Sequence, residues 1–358
     1  MTINALKHQS TGIFLAANIL TLLLVSSAVG AFAAGPPGAR KKSPQGADEA
    51  PNGPAVLWLD PVDISSRDLF FGPGGQDHQP HGTFTFIEED LNGTNPKIVV
   101  RDRDGVKWTV KLGAEARPET AATRLTWAIG YRANEDYFLP DLTVENLPAH
   151  LHRGQKLIAH DGSMHNVRLK RHLEGEKKVA NWPWRQNAFT GARELNGLRV
   201  LMALLNNWDL TDENNAIYKE SSPEKESSPE QVYMVSDLGS TLGGGRLTWP
   251  LAKGRGDLHE YSRSKFITKV TADYVDFRTP TRASFFFLAT PREFLNKLKL
   301  RWIGKNIPRA DAKWLGQLMA RLSSEQIRDA FRAAGYSPQE VDGFTAVVQD
   351  RITALEDL

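Results

Sequence analysis

Alternating hydrophobic and polar residues from Thr83 to Gly113 predict three antiparallel strands joined by tight turns. The segments read TFTFIEED, KIVVRD and KWTVKLG, with turns at Asn92-Gly93 and Asp104-Gly105 between them. Asn-Gly and Asp-Gly pairs flanked by such segments are a strong short-range signal for a hairpin. A helix follows in the segment PETAATRLTWAI, because Pro118 is placed to open it and Gly130 to end it.

The pattern becomes more helical in the second half of the chain. A helix is predicted from Ala192 to Asn206, where leucines and a methionine recur every three or four residues and share one face. Two short strand segments follow at 215–218 and 231–236. The polar stretch between them repeats Ser-Ser-Pro-Glu, so we expect a hairpin with a long, solvated and mobile tip at 219–230. From Pro291 onward the pattern is again helical.

These elements together predict an α+β fold with two lobes and a cleft between them. The smaller, β-rich lobe with one helix spans about 55–150, and the larger, mainly helical lobe spans about 151–358. Residues 35–54 contain five prolines and four glycines without apolar periodicity, which is typical of a disordered linker. The folded catalytic domain is therefore expected to cover 55–358.

Residues 1–34 have the features of a secretory signal peptide. Lys7 precedes an uncharged apolar run from Gly12 to Ala34, which ends in Ala31-Phe32-Ala33. We expect cleavage near Ala33 and export to the periplasm or the outside of the cell. The alternative is an uncleaved membrane anchor at 12–34, since the run is long enough to cross a bilayer. The basic residues 40–42 would then place the domain in the cytoplasm.

Composition narrows the chemistry that is available to this chain. The 358 residues are 41% hydrophobic and 24% charged, which suits a folded protein with a substantial core. Lys plus Arg (44) nearly balance Asp plus Glu (42) and form no long basic block, so nucleic acid is not an expected partner. The chain has no cysteine, which excludes thiol catalysis, thiolate metal sites and disulfides.

The third predicted strand and the following helix carry the first candidate site residues. Phosphoryl transfer from a nucleotide requires a lysine on the phosphates, oxygen ligands for metal ions and a carboxylate near the attacking hydroxyl. Lys111 lies in the strand, and Glu119 lies in the helix, with Glu115 as an alternative to Glu119. A strand lysine held by a helix glutamate positions phosphates in protein kinases, whereas elsewhere such residues form surface pairs.

The segment Asp209-Leu-Thr-Asp-Glu-Asn214 gives a more specific signal. An Asp at the end of a buried helix, followed five residues later by an Asn, has the spacing D-x-x-x-x-N of the kinase catalytic loop. The chain then enters the predicted hairpin and leaves it at Ser236-Asp237-Leu238-Gly239, which corresponds to the metal-binding D-F-G motif with Leu in place of Phe. If these residues were structural, they would cap backbone groups and start a turn.

On these residues the chain resembles an atypical member of the protein-kinase-like superfamily, nearer to the HipA-type, phosphoinositide-type and secretory-pathway kinases than to ordinary Ser/Thr kinases. The resemblance covers roughly residues 80–290. It implies ATP and Mg²⁺ or Mn²⁺ as cofactors and a two-lobed kinase fold. It assigns phosphate binding and its support to Lys111 and Glu119, base catalysis to Asp209, and metal binding to Asn214 and Asp237.

The chain departs from the kinase pattern at three places. Asn207-Trp208 replace the His-Arg before the catalytic Asp, and Thr211 replaces a lysine, so regulation by loop phosphorylation is not expected. The glycine-rich phosphate loop is missing. In its place the turn at 91–95 contains Gly93, which we expect to face phosphate with its backbone amides.

Other motifs are better explained by structure than by chemistry. We interpret the paired histidines as solvated, Gly72-Pro-Gly-Gly75 as a turn, and Trp182 and Trp184 as core. The histidine pairs are His78 and His81, His150 and His152, and His160 and His165. The sequence thus predicts a nucleotide-binding kinase acting on a hydroxyl of an unknown protein, lipid or small molecule. The alternative is an exported pseudokinase or a ligand- or partner-binding scaffold without catalysis.

Overall fold

The computed structural model of the protein describes residues 53–220, 230–248, 252–279, 295 and 298–358. The predicted signal peptide or anchor, the linker up to residue 52 and the tip residues 221–229 lie outside these ranges. The described residues form one compact unit. Within the described part of the chain, no helix combines the length and apolar character that a bilayer crossing requires.

Strands and helices are mixed along the described chain, so the predicted α+β composition is confirmed. The strands are β1 (Ala55–Val56), β2 (Phe84–Asp90), β3 (Lys97–Asp102), β4 (Lys107–Lys111), β5 (Asp136–Leu142), β6 (Val144–Glu145), β7 (Met164–Arg171), β8 (Glu176–Ala180), β9 (Asn215–Glu220), β10 (Glu230–Val235), β11 (Gly244–Thr248), β12 (Ala252–Gly254), β13 (Ile267–Val270), β14 (Tyr274–Phe277) and β15 (Ile307–Pro308). The helices are α1 (Ala116–Ala128), α2 (Arg193–Leu204), α3 (Leu258–Ser262), α4 (Arg309–Met319), α5 (Ser324–Arg332) and α6 (Pro338–Glu356), with 3-10 turns at Gln155–Leu157, Asp212–Asn214 and Leu300–Gly304.

A six-stranded sheet carries the first candidate site residue. Its strand order is β5-β7-β4-β3-β2-β6, and all neighbours are antiparallel except β2 and β6. The three predicted strands are β2, β3 and β4. Strand β4 pairs with β3 on one side and with β7 on the other, which places Lys111 opposite Lys97 and opposite Arg168. Strand β7 lies beyond residue 150 and was not predicted.

The second sheet supports the loop that contains Asp209 and Asn214. Its strand order is β1-β10-β9-β8, and the predicted hairpin is present as β9 and β10. The short strand β1, which begins at Ala55, runs parallel to β10. The region 151–358 therefore contains more strand than was predicted for a mainly helical lobe, because β7, β8 and β11 to β15 also lie there.

Helix α1 lies inside the protein. It begins at Ala116, two residues before Pro118, and eleven of its thirteen residues are buried, which leaves almost no face in solvent. Helix α5 packs against it, and the loop after α5 approaches the neighbouring strand β5, since a Cβ on Gly335 would lie 2.2 Å from the Phe138 ring. Arg117 on α1 pairs with Glu340 on α6 at 2.8 Å. The helix is thus fixed by the sheet and by the C-terminal helices together.

The main hydrophobic core joins α1, α2 and the helices α4 to α6. Trp182 and Trp184 belong to this core and are buried, with their rings in an edge-on contact at 4.9 Å. Their interpretation as core residues is confirmed. The apolar face of α2 is buried as predicted, and this helix leads directly into Asn207 and Asp209.

Candidate active site

Three carboxylates surround the ammonium group of Lys111. Its Nζ lies 2.7 Å from Glu119 Oε2, 3.2 Å from Glu115 Oε2 and 3.2 Å from Asp237 Oδ1. Lys111 ends strand β4, Glu119 lies on the first turn of the next helix α1, and Asp237 follows β10, so two neighbouring elements meet one distant segment here. The two glutamates between which the sequence could not choose therefore both contact the lysine.

Burial strengthens the electrostatic interactions among these charged groups. Lys111 is 3% exposed and Glu119 is 0% exposed, whereas the side chain of Asp237 is 36% exposed. Burial by itself would lower the pKa of Lys111, but the charges of Glu119, Asp237 and Glu115 outweigh it and raise the pKa above its usual value. Burial likewise opposes ionisation of Asp237, yet Lys111 and the Gly239 N–H lower the pKa of this carboxyl. The site thus holds a permanently charged lysine beside an ionised aspartate.

Glu119 is fixed by a second cation. Arg168 on β7 places Nη2 2.9 Å from Glu119 Oε1 and Nη1 3.2 Å from Asp136 Oδ1. Burial opposes the charge on Arg168, but Asp136 and Glu119 raise its pKa further above the usual range. Because Glu119 is enclosed and shared between Lys111 and Arg168, it is suited to hold the lysine in place.

Glu115 has a different set of partners. Its Oε1 lies 2.7 Å from Arg255 Nη2, and its Oε2 accepts hydrogen bonds from Lys111 Nζ and from Asn95 Nδ2. Arg255 directly follows β12, and its guanidinium lies 5.2 Å from the centre of the Trp208 ring. Glu115 occupies the N-cap position of α1, but its side chain makes no capping hydrogen bond. Its carboxylate instead connects three other segments of the chain.

The Asp237-Leu-Gly turn fits closely around this cluster. The Gly239 N–H donates to Asp237 Oδ1 at 3.1 Å, which orients the carboxylate. A Cβ at Gly239 would lie 2.7 Å from Glu115 Oε2, so a larger residue would displace that glutamate. Glycine is therefore required at this position by space.

The loop from Asp209 to Asn214 is held by its own hydrogen bonds. Asn214 Nδ2 donates to the Asp209 carbonyl at 2.7 Å, and the Asp209 N–H donates to Asn207 Oδ1 at 2.9 Å. The Ser236 N–H donates to the Asn214 carbonyl at 2.8 Å, which joins the loop to the residue just before Asp237. Asn207, which stands where kinases have histidine, therefore orients the backbone of Asp209.

The turn at 91–95 reaches the same region. Gly93 has a φ of 71°, which suits glycine, and its carbonyl accepts a hydrogen bond from Arg153 Nη1 at 2.6 Å. The contact with Glu115 comes from Asn95, two residues later. The turn is thus near the lysine cluster through its side chain at Asn95, and the predicted role of Gly93 in phosphate binding stays a prediction.

Oxygen donors suited to a magnesium ion are present at Asn214 and Asp237. Carboxylate and amide oxygens are the ligands that Mg²⁺ prefers. The Asn214 side-chain nitrogen is turned inward to the Asp209 carbonyl, which directs its oxygen away from that carbonyl. Asp237 is partly exposed and so accessible to an ion. The donor types of these two residues suit Mg²⁺, and their role as metal ligands stays a prediction.

A second set of oxygen atoms also lies close together. Glu115, Glu119 and Asp237 have carboxylate oxygens within 4.8 Å of one another, the one such group of metal-type donors among the described residues. Lys111 Nζ lies within 3.2 Å of one oxygen from each of them. The histidines lie outside this group. Several of them pair with carboxylates, as His78 does with Glu135 and His165 with Asp141.

Sequence reasoning missed three residues of this site, namely Asn95, Arg168 and Arg255. Arg168 lies in the segment VRLKR, where its alternation with Val167 and Leu169 marks a strand but gives no sign that the arginine faces inward. Asn95 belongs to the 91–95 turn, in which the predicted phosphate-facing residue was Gly93. No pattern around Arg255 signals a site residue.

Comparison with known proteins adds little to this geometry. No protein-family model matches the chain, and no curated protein matches it. Among solved structures, the chain is similar to a Helicobacter pylori proinflammatory kinase, CtkA, with a TM-score of 0.41 and 12% sequence identity. The match covers 76% of this chain and 95% of that one. A likeness at this level does not assign a function, so the proposal below depends on this chain's own residues.

Proposed function

We propose that the protein is an ATP- and Mg²⁺-dependent phosphotransferase with a two-lobed, protein-kinase-like catalytic domain, acting on a hydroxyl acceptor. The observation that carries the proposal is the contact of Lys111 with Glu119 and Asp237. The hydrogen bond from Lys111 to Asp237 connects residues 126 positions apart. A strand lysine, a helix glutamate and the aspartate of a D-x-G turn that meet in one cluster supply the charged groups that phosphoryl transfer requires.

Each residue then has a definite task. Lys111 binds the nucleotide phosphates, and Glu119, which Arg168 supports, keeps the ammonium group in position. Asn214 and Asp237 hold the metal, and bound Mg²⁺ or Mn²⁺ would neutralise phosphate charge. Asp209 accepts the proton of the acceptor hydroxyl, from a loop that its own hydrogen bonds make rigid. The acceptor is a protein, a lipid or a small molecule.

Two variants test the assignment because they remove different tasks. Asp237→Ala removes a metal ligand, so the Mg²⁺-dependent part of ATP binding should fall together with turnover. Asp209→Asn keeps the size of the side chain but not its basicity, so ATP should still bind while turnover falls by roughly 10² to 10⁴. Titration calorimetry with ATP, with and without Mg²⁺, and release of ADP measure the two effects. Asp350→Asn, at an exposed position of α6, is the matched control.

The outcome also decides between an enzyme and a scaffold. If the parent protein binds ATP and Mg²⁺ but releases no ADP, the cleft belongs to a pseudokinase. If the parent and Asp237→Ala show the same weak, metal-independent binding, the nucleotide site itself is refuted. Unfolding of Asp209→Asn would show that Asp209 is a structural residue.

A further inference from the structure

The lysine that the proposed function assigns to phosphate is fully engaged by protein groups. An ammonium group has three N–H donors, and three carboxylate oxygens lie within 3.2 Å of Lys111 Nζ. A phosphate can therefore reach this lysine only if a carboxylate gives up its place. Glu119 is the least able to leave, because it is completely buried and also held by Arg168.

The charges around Lys111 also favour displacement of a carboxylate when phosphate binds. Four carboxylates face the cations Lys111, Arg168 and Arg255. These carboxylates belong to Glu115, Glu119, Asp136 and Asp237. An ionised carboxylate next to Lys111 repels an entering polyphosphate, and the repulsion falls once that carboxylate is withdrawn or neutralised.

Glu115 lies where an anion would be bound. Asn95 Nδ2, Lys111 Nζ and Arg255 Nη2 all converge on its carboxylate, from the 91–95 turn, from β4 and from the end of β12. An arginine, a lysine and an amide N–H around one anionic group form a typical phosphate-binding set. Here an internal carboxylate fills that set, and this carboxylate is only 2% exposed.

We propose that the Glu115 carboxylate occupies a phosphate position of the nucleotide site, and that Arg255 and Asn95 are phosphate-binding residues for which Glu115 competes. This inference rests on the proposed function for the identity of the ligand. It makes Glu115 an internal competitor and not, like Glu119, a support for Lys111. The two glutamates next to the lysine thus have opposite effects on nucleotide affinity.

The test uses the two partners of a single ion pair. Glu115→Gln removes the competing charge and should raise the affinity for inorganic tripolyphosphate and for ATP with Mg²⁺ by about tenfold, the effect of one charge-assisted hydrogen bond. Arg255→Gln removes a ligand and should lower both affinities by about tenfold. Arg255→Lys, which keeps the charge, should recover part of that loss. An ion pair with a purely structural role would make both glutamine variants change in the same direction.

Matched controls come from an ion pair outside the site. Arg328→Gln and Asp342→Asn alter the pair Arg328–Asp342 and should leave both affinities unchanged. Titration calorimetry gives the affinities, and circular dichroism melts show which variants are folded. If Glu115→Gln does not fold, the Arg255→Gln and Arg255→Lys pair still measures whether Arg255 binds tripolyphosphate.

The possible failures can be told apart. If Glu115→Gln is folded and binds tripolyphosphate no better than the parent, or if Arg255→Gln binds it equally well, the inference is refuted even where the parent turns over ATP. If Glu115→Gln gains tripolyphosphate affinity but neither it nor the parent transfers phosphate from ATP, the anion site stands and the proposed phosphotransferase activity falls.

Discussion

Replacing Lys111 by methionine should strongly destabilise the protein as well as abolish nucleotide binding. Methionine keeps the length of the apolar side chain but removes the charge that three carboxylates share. Glu119 would then have Arg168 as its remaining ion-pair partner, and Asp237 would keep the Gly239 N–H. The cluster would lose one of its positive charges.

The size of the effect follows from the burial of the group. Lys111 is 3% exposed, and breaking a buried ion pair by removing one partner costs about 3 to 5 kcal/mol, because the other charge stays buried without compensation. For a domain of about 300 residues the entropy of unfolding is roughly 0.6 kcal/mol/K, so this corresponds to a loss in Tm of roughly 5 to 8 °C. An exposed pair would cost less than about 1 kcal/mol.

The chain offers a matched control on the neighbouring strand. Lys97 lies directly opposite Lys111 and pairs with Asp90 at 2.9 Å, but the side chains of Lys97 and Asp90 are about one-fifth exposed, at 20% and 21%. Thermal melts should show a large fall in Tm for Lys111→Met and a small one for Lys97→Met. Equal shifts in the two variants, or a Lys111→Met protein as stable as the parent, would refute the claim that this buried cluster holds the fold together.

Three further predictions concern acid stability, space and export. Burial opposes ionisation of Asp90, but the Lys97 ammonium group and the hydrogen bonds from Asn92 together outweigh burial and lower the pKa of Asp90. This stabilisation is present above about pH 4 and is lost as the pH falls through the lowered pKa. The stability of Asp90→Asn should therefore fall less steeply with acid than the parent's, and identical slopes in urea titrations would contradict this. Gly239→Ala should cost about 1 to 3 kcal/mol, because its Cβ would clash with Glu115, and an unchanged Tm would count against the packing described. N-terminal sequencing of exported protein should give a first residue at or near Ala34, whereas a chain that still starts at residue 1 would support the membrane anchor.

The sequence predicted those parts of the site that are marked by a motif within a short stretch of residues. Asn-Gly and Asp-Gly turns located the strand of Lys111, and the spacing from Asp209 to Asn214 marked a loop without any knowledge of the fold. The structure places both segments as expected, the first next to Glu119 and the second at the start of the β9–β10 hairpin.

The remaining parts depend on contacts between distant segments. Arg168 enters the site because β7 pairs with β4, a pairing that no turn or spacing in the sequence specifies. The choice between Glu115 and Glu119 could not be made from helical spacing, since both lie within reach of the lysine. Only the positions of Arg168 and Arg255 distinguish the environments of the two carboxylates.

The enclosure of helix α1 limits how this protein can be regulated. With eleven of its thirteen residues buried between the sheet and the C-terminal helices, the helix cannot swing outward without breaking the core. Under the proposed function, a signal that disables catalysis by rotating this helix would thus have to unfold part of the domain. On the same proposal, activity is better controlled by side chains that can exchange partners while the helix stays in place. Loss of nucleotide binding on heating should therefore coincide with global melting and should not precede it.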